Sequence, residues 1–217
     1  MPAAVVFDLD YTLAVPDRDR ETILTDATAA ANAPSLSREA YLKAHSRHLT
    51  EESREPIFEE LLEPYETSAD PEAVATAYRQ TIADSLRPLP GVESMLEELR
   101  SEYRLGLLTN GPVRAQRDKL ETLGWESAFD AALVTGELEA GKPDPRAFEA
   151  ILGELGVDPE EAVYVGDDVE ADIEGATRAN MASVQVVLED TEPDPRATAH
   201  VDQRRIATEL PGVLRSL

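Results

Sequence analysis

The chain has 217 residues, 44 of them Asp or Glu against 20 Lys or Arg, for a formal net charge of −24. That balance excludes nucleic-acid binding through a basic surface, and the absence of cysteine excludes disulfides, thiol catalysis and cysteine-ligated metals. No apolar run is long enough to span a bilayer, and the N-terminus lacks the basic region of a signal peptide, so a cytoplasmic protein with no membrane partner is expected.

Taken in chain order, the first element is Ala4-Val5-Val6-Phe7, a largely β-branched apolar run that stops at Asp8-Leu9-Asp10-Tyr11-Thr12-Leu13. It reads as a buried strand delivering a carboxylate to its C-terminal tip. Open α/β sheets bind ligands at that end of their strands. Two carboxylates one residue apart can divide a reaction, one attacking while the other handles protons. An ordinary strand followed by an acidic turn is the plainer alternative.

After Pro16 the pattern turns helical as far as about Leu86, interrupted at Pro34. Asp70-Pro71-Glu72 is a strong helix start, with a capping side chain, proline at the first helical position and an acid in the first turn. Val74, Tyr78 and Ile82 fall four apart and would share a face. Arg87-Pro88-Leu89-Pro90-Gly91 reads as a stiff exit linker. Residues 17–86 are thus expected to form a helical insert, with 1–16 and 87–217 forming the core.

Beyond Gly91 strands and helices alternate. Helices are expected near 92–102, 112–123, 145–155 and 170–179, and strands at 104–109, 131–134, 162–166 and 183–187. The tail from Val201 adds a small element and a short helix. Such alternation implies an α/β fold with a parallel, doubly wound, Rossmann-like sheet.

Three more segments fall at the same sheet edge. Thr109-Asn110-Gly111 ends one strand and opens a helix, where exposed N–H groups can cradle a phosphate; a capped helix start is the alternative. Lys142, between Gly141 and Pro143, is one of only three lysines, with Lys43 and Lys119. Its ammonium can offset a phosphate dianion or the charge on Asp8; a solvated loop lysine is the alternative. Gly166-Asp167-Asp168-Val169-Glu170-Ala171-Asp172 is another strand ending in acids, whose oxygens suit Mg²⁺; an acidic helix N-terminus is the alternative.

In order and spacing these four motifs resemble those of the haloacid dehalogenase superfamily. The resemblance spans nearly the whole chain. It implies a Rossmann-like core with a helical cap inserted after the first strand, and Asp8 attacking phosphorus to give an aspartyl-phosphate. Asp10 would protonate the leaving alcohol and later deprotonate water. Mg²⁺ would be held by Asp8, the Asp10 carbonyl and Asp167, with Asp168 or Asp172 in support or as further ligands. Thr109 and the N–H groups of Asn110 and Gly111 would grip the phosphoryl oxygens, and Lys142 would stabilise charge on Asp8. Asp10 favours phosphoryl chemistry over halide displacement, and Tyr11 stands where many relatives have a small residue.

The expected activity is a Mg²⁺-dependent phosphatase acting on a small phosphorylated metabolite. The run Thr109-Asn110-Gly111 with Gln116 and Lys119-Leu120 is similar to nucleotidases and acylneuraminate phosphatases, and phosphoglycolate is about as plausible a substrate. A phosphomutase, a dehalogenase and a non-catalytic binding protein are the competing readings. His45 and His48 lack a third ligand for zinc. Trp125, Phe129 and Phe148 are expected in the core; Arg47 and Arg54 could reach a substrate's leaving group from the cap, but are expected as surface partners of nearby acids. The acidic, lysine-poor composition resembles cytoplasmic proteins of salt-accumulating archaea, in which screening makes such charge tolerable.

Overall fold

The computed structural model describes residues 2–217. Six strands form one parallel sheet: β1 (Ala4–Phe7), β4 (Arg104–Thr109), β5 (Ala131–Val134), β6 (Ala162–Gly166), β7 (Ala182–Val187) and β8 (Ala199–Asp202). Their order is β5-β4-β1-β6-β7-β8. The chain therefore builds outward from β1 on one side, then returns and builds outward on the other. Ligands bind an open α/β sheet where the strand order reverses, which here is the C-terminal tip of β1.

Alternation along β1 explains its two layers. Val5 and Phe7 join one apolar cluster with Met95, Leu99, Leu210 and Leu214, supplied by α5 (Val92–Leu99) and α9 (Ile206–Ser216). Ala4 and Val6 face the opposite cluster, with Phe148, Ile151 and Leu155 of α7 (Pro145–Leu155). A strand covered on both faces is apolar throughout, as this one is. Trp125, Phe129 and Phe148 are all buried, as expected.

Between β1 and α5 lie four helices, α1 (Arg20–Ala30), α2 (Arg38–His45), α3 (Glu55–Leu62) and α4 (Pro71–Ser85). They share an apolar cluster of their own, including Ile23, Leu24, Tyr41, Phe58, Val74, Tyr78 and Ile82. Asp70 caps α4 by accepting from Glu72 N at 3.2 Å, with Pro71 opening the helix. Such a cap contributes about 1 kcal/mol.

Two expectations about the joints need correction. The chain enters and leaves the helical segment through a two-stranded antiparallel ribbon, β2 (Ala14–Pro16) against β3 (Leu86–Pro88). Arg87 and Pro88 thus belong to a strand rather than a linker; three residues per strand are too few for a readable alternation. The helix expected near 170–179 is a π-helical turn, Val169–Glu174, running into the short α8 (Gly175–Arg178). Among the described residues no helix is long and apolar enough to cross a membrane.

Candidate active site

Asp8 follows β1 directly, and its N–H donates to Val165 O of β6 at 2.9 Å. This bond extends the ladder by one residue and holds the carboxylate at the sheet's tip. Lys142 arrives from the loop before α7. Its Nζ donates to Asp8 Oδ1 at 2.8 Å, Asp172 Oδ1 at 2.6 Å and Tyr164 Oη at 2.7 Å, which uses all three ammonium protons. The lysine is only 3 % exposed. Burial disfavours its charge, but Asp172 and Asp8 outweigh that and hold the ammonium well above the usual lysine range.

The acids around it are crowded. Carboxylate oxygens of Asp8, Asp167 and Asp172 lie within 4.8 Å of one another. Burial pushes Asp8 up to about 7, against Lys142 and with help from Asp172 and Asp10. Burial, Asp172 and Asp8 likewise raise Asp167 well above its ordinary value, although Thr12 Oγ1 donates to it at 3.0 Å. Three carboxylates facing one ammonium leave excess negative charge, and an all-oxygen donor set suits a hard divalent cation.

The π turn decides which acid of the fourth motif faces the centre. It brings Asp172 back over the end of β6, where Oδ2 accepts from Asp168 N at 3.0 Å. A Cβ on Gly166 would sit 2.2 Å from that oxygen, so only glycine fits there. Asp168 itself caps the turn, accepting from Glu170 N at 2.9 Å and Ala171 N at 2.8 Å. Asp168 lies outside the carboxylate trio, with its side chain committed to the backbone.

Asp10 also lies outside the trio. Arg20 Nη2 donates to its Oδ1 at 2.8 Å, while Gln116 Nε2, at 3.1 Å, and Lys119 Nζ donate to Oδ2. Burial would raise this carboxyl, yet Lys119 and Arg20 prevail and hold it well below the usual carboxylate range. Lys119, on α6 (Val113–Leu123), is 3 % exposed, and burial pushes it down to about 8 despite Asp10.

Thr109 is buried at the tip of β4, its Oγ1 accepting from Gln116 Nε2 at 2.6 Å. Asn110 ties two motif loops together, its side chain accepting from Lys142 N and donating to Lys142 O, both at 2.9 Å. Gly111 departs from expectation. Its N–H donates to Thr135 Oγ1 at 3.0 Å and it does not line the cavity, so that N–H is already committed within the protein.

The helical insert overhangs these tips and leaves an open cleft of ≈ 510 Å³ between them. Asp8, Asp10, Thr109, Lys142 and Asp167 line its floor; Arg20, Arg38, Tyr41, His45, Arg54 and Tyr78 line its roof. The two histidines separate. His45 faces the cavity, whereas His48 Nε2 pairs with Glu60 at 3.0 Å beside Arg47. Arg54 is not a surface partner of acids; it is buried. The site residues not anticipated are Arg20 and Tyr164, while Gln116 and Lys119 stand out in the sequence by resemblance alone, with no role assigned. Lysine scarcity, which marks Lys142, marks Lys119 equally.

A carboxylate held at the first strand's tip by a buried lysine, under a helical roof, is the centre of a Rossmann-like enzyme with a helical cap. The chain belongs to the family described as Haloacid dehalogenase-like hydrolase, which residues 5–186 match. It is 34 % identical to a glyceraldehyde 3-phosphate phosphatase of Methanopyrus kandleri over 100 % of this chain and 99 % of that protein. It is 39 % identical to human N-acylneuraminate-9-phosphatase over 58 % of this chain, spanning only 51 % of that enzyme. The structure superposes on the HAD-hydrolase YfnB of Bacillus subtilis, bound to magnesium, with a TM-score of 0.76 at 22 % identity, covering 99 % of each chain. The family match and the full-length likeness to a phosphatase place the chain in the phosphatase branch of the family.

Proposed function

We propose that this protein is a Mg²⁺-dependent phosphatase of small phosphomonoesters, and the observation that carries it is the Asp8–Lys142 pair at the tip of β1. Asp8 attacks phosphorus, the bond to the leaving oxygen breaks, and an aspartyl-phosphate forms. Water then cleaves that acyl phosphate, releasing inorganic phosphate and restoring Asp8. Splitting one displacement into two is the use of a carboxylate nucleophile. Lys142, fixed by Asp172 and Tyr164, keeps Asp8 oriented and offsets charge as it transfers.

Asp10 serves the leaving oxygen and the attacking water. Its carboxylate accepts from Lys119 and Arg20, which weaken it as a base and set it to relay a proton rather than hold one. The proton for the leaving oxygen is carried by the hydrogen-bonded Asp10–Lys119 pair. Thr109 and the Asn110 N–H would hold phosphoryl oxygens. Asp8 and Asp167 would hold Mg²⁺, with the Asp10 carbonyl and with Asp172 beside them; bound there, the ion supplies charge neutralisation between anionic nucleophile and anionic substrate. The presence of Asp10 supports phosphoryl transfer over displacement of halide, which needs no proton for its leaving group.

The test is phosphate release from an aryl phosphate and a phosphometabolite panel, in molar KCl with Mg²⁺. Activity should disappear in Asp8→Asn and on chelation, and return with Mg²⁺. A folded wild-type protein inert on the whole panel would sink the proposal.

A further inference from the structure

The roof of the cavity holds a guanidinium that has no ion pair among the described residues. Arg54, just ahead of α3, is 6 % exposed, and its Nε and Nη1 are buried with no hydrogen-bond partner among the described residues. The guanidinium lies over the Tyr78 ring, 5.4 Å from its centroid, and it lines the same cavity as Asp8 and Lys142. Its charged neighbours make matters worse. The Lys119 ammonium feels both Arg54 and Arg20 as like charges. Asp10 on the cavity floor is already shared by Arg20, Lys119 and Gln116, and Glu55 and Glu72, which line a small cleft on the other side of Arg54, form no ion pair with it.

A buried guanidinium without a counter-ion is costly, since desolvation is not offset by an ion pair. In a chain with 44 acidic residues, supplying a carboxylate would take one substitution. The arrangement makes sense if the counter-ion arrives with the ligand. The transferring phosphoryl group does not fill that role, because Lys142, Thr109 and the carboxylate trio receive it on the floor.

We infer that the cavity takes a phosphomonoester bearing a second anionic group, a carboxylate or another phosphate, and that Arg54 binds this group from the roof. The inference rests on the phosphatase reading and narrows its substrate class. Guanidinium geometry suits either anion, since both accept two parallel N–H bonds. Arg38, stacked over Tyr41 at 5.3 Å, lines the same roof.

Binding is measured first, without turnover, by calorimetry on Asp8→Asn protein in the salt that keeps it folded. Two matched pairs separate the sources of charge: 2-phosphoglycolate against ethyl phosphate, and fructose 1,6-bisphosphate against fructose 6-phosphate. At least one pair should show a tenfold or greater preference for the extra anion, and the winning pair identifies carboxylate or phosphate. Adding Arg54→Gln should cut that preference at least tenfold, and Arg54→Lys should keep part of it. Arg54→Gln should also melt no lower than the parent, because it removes an unanswered buried charge. No preference in either pair, a preference untouched by Arg54→Gln, or equal weakening of both members of a pair would overturn the inference. Steady-state kcat/KM of protein with Asp8 intact, on the same pairs, then separates the two readings. Selective binding without phosphate release defeats the phosphatase reading and keeps the subsite, while turnover without selectivity does the reverse.

Discussion

Arg20 of α1 and Asp10, just beyond β1, form an ion pair at 2.8 Å. The guanidinium also bonds Tyr11 Oη through Nε at 3.3 Å and lies 5.5 Å over that ring. Tyr11 is held at φ 62°, a left-handed conformation uncommon for a bulky residue. The segment after β1 is thus shaped to meet the first helix of the roof. Removing Arg20 by substitution to Ala leaves Asp10 with Lys119 and Gln116 only. Loss of one charged hydrogen bond at a half-buried site should cost about 1.5–3 kcal/mol, read by urea unfolding. Faster hydrogen exchange in α1 should accompany it; unchanged exchange there would count against a tie between insert and core.

Lys142 is the common donor for Asp8, Asp172 and Tyr164. Its truncation to Ala strands two buried carboxylates, and breaking a buried pair costs about 3–5 kcal/mol. The Lys142→Ala protein should be inactive and much less stable. Combining Lys142→Met with Asp172→Asn should recover a good part of the stability and none of the activity. A double variant no more stable than Lys142→Ala would contradict the assignment.

Acid should weaken the fold through His45. Burial, then Arg54 and Lys119, push its imidazole down to about 3, whereas an unfolded histidine titrates near 6.5. Between those values the unfolded chain binds more protons. The neutral His45 therefore supports stability above about pH 6.5, and that support is lost as pH falls toward 3, by at most about 1.4 kcal/mol per pH unit. A flatter dependence of unfolding free energy on pH between 6.5 and 4.5 in His45→Gln would bear this out. An NMR titration placing the wild-type His45 midpoint near 6 would not.

Salt should act in the opposite sense. A chain with 44 acids and 20 basic residues leaves most of its acids with no cation of their own. Raising KCl from 0.1 to 2 M should raise Tm, with most of the gain below about 1 M, where the screening length shrinks from about 10 Å to about 3 Å. A flat or falling Tm would mean that the surface carries its charge without screening.

The strands that bear chemistry were legible because a run such as Ala4–Phe7 or Ala162–Gly166 announces itself by composition and by the acid that ends it. Helix starts at Asp70-Pro71 and Asp144-Pro145 were legible for a similar reason, since capping is local chemistry. The ribbon of β2 and β3 was not, because its two halves are separated by the whole helical insert. Asp168 and Asp172 are equivalent as letters; the π turn turns one toward the backbone and the other toward Lys142.

By itself, then, the order of residues determined the layered α/β architecture, the run of helices that follows the first strand, and the acids and lysine that meet at the sheet's edge. Period-two and helical patterns and strand-end motifs act over a few residues, so they survive reading along the chain. Only the tertiary structure decided what surrounds those groups. Lys119 reaches Asp10 across 109 positions, Tyr164 reaches Lys142 across 22, and Arg54 becomes a buried cation because α4 lies beneath it. Burial and pairing belong to neighbours in space, and a charge takes its meaning from them.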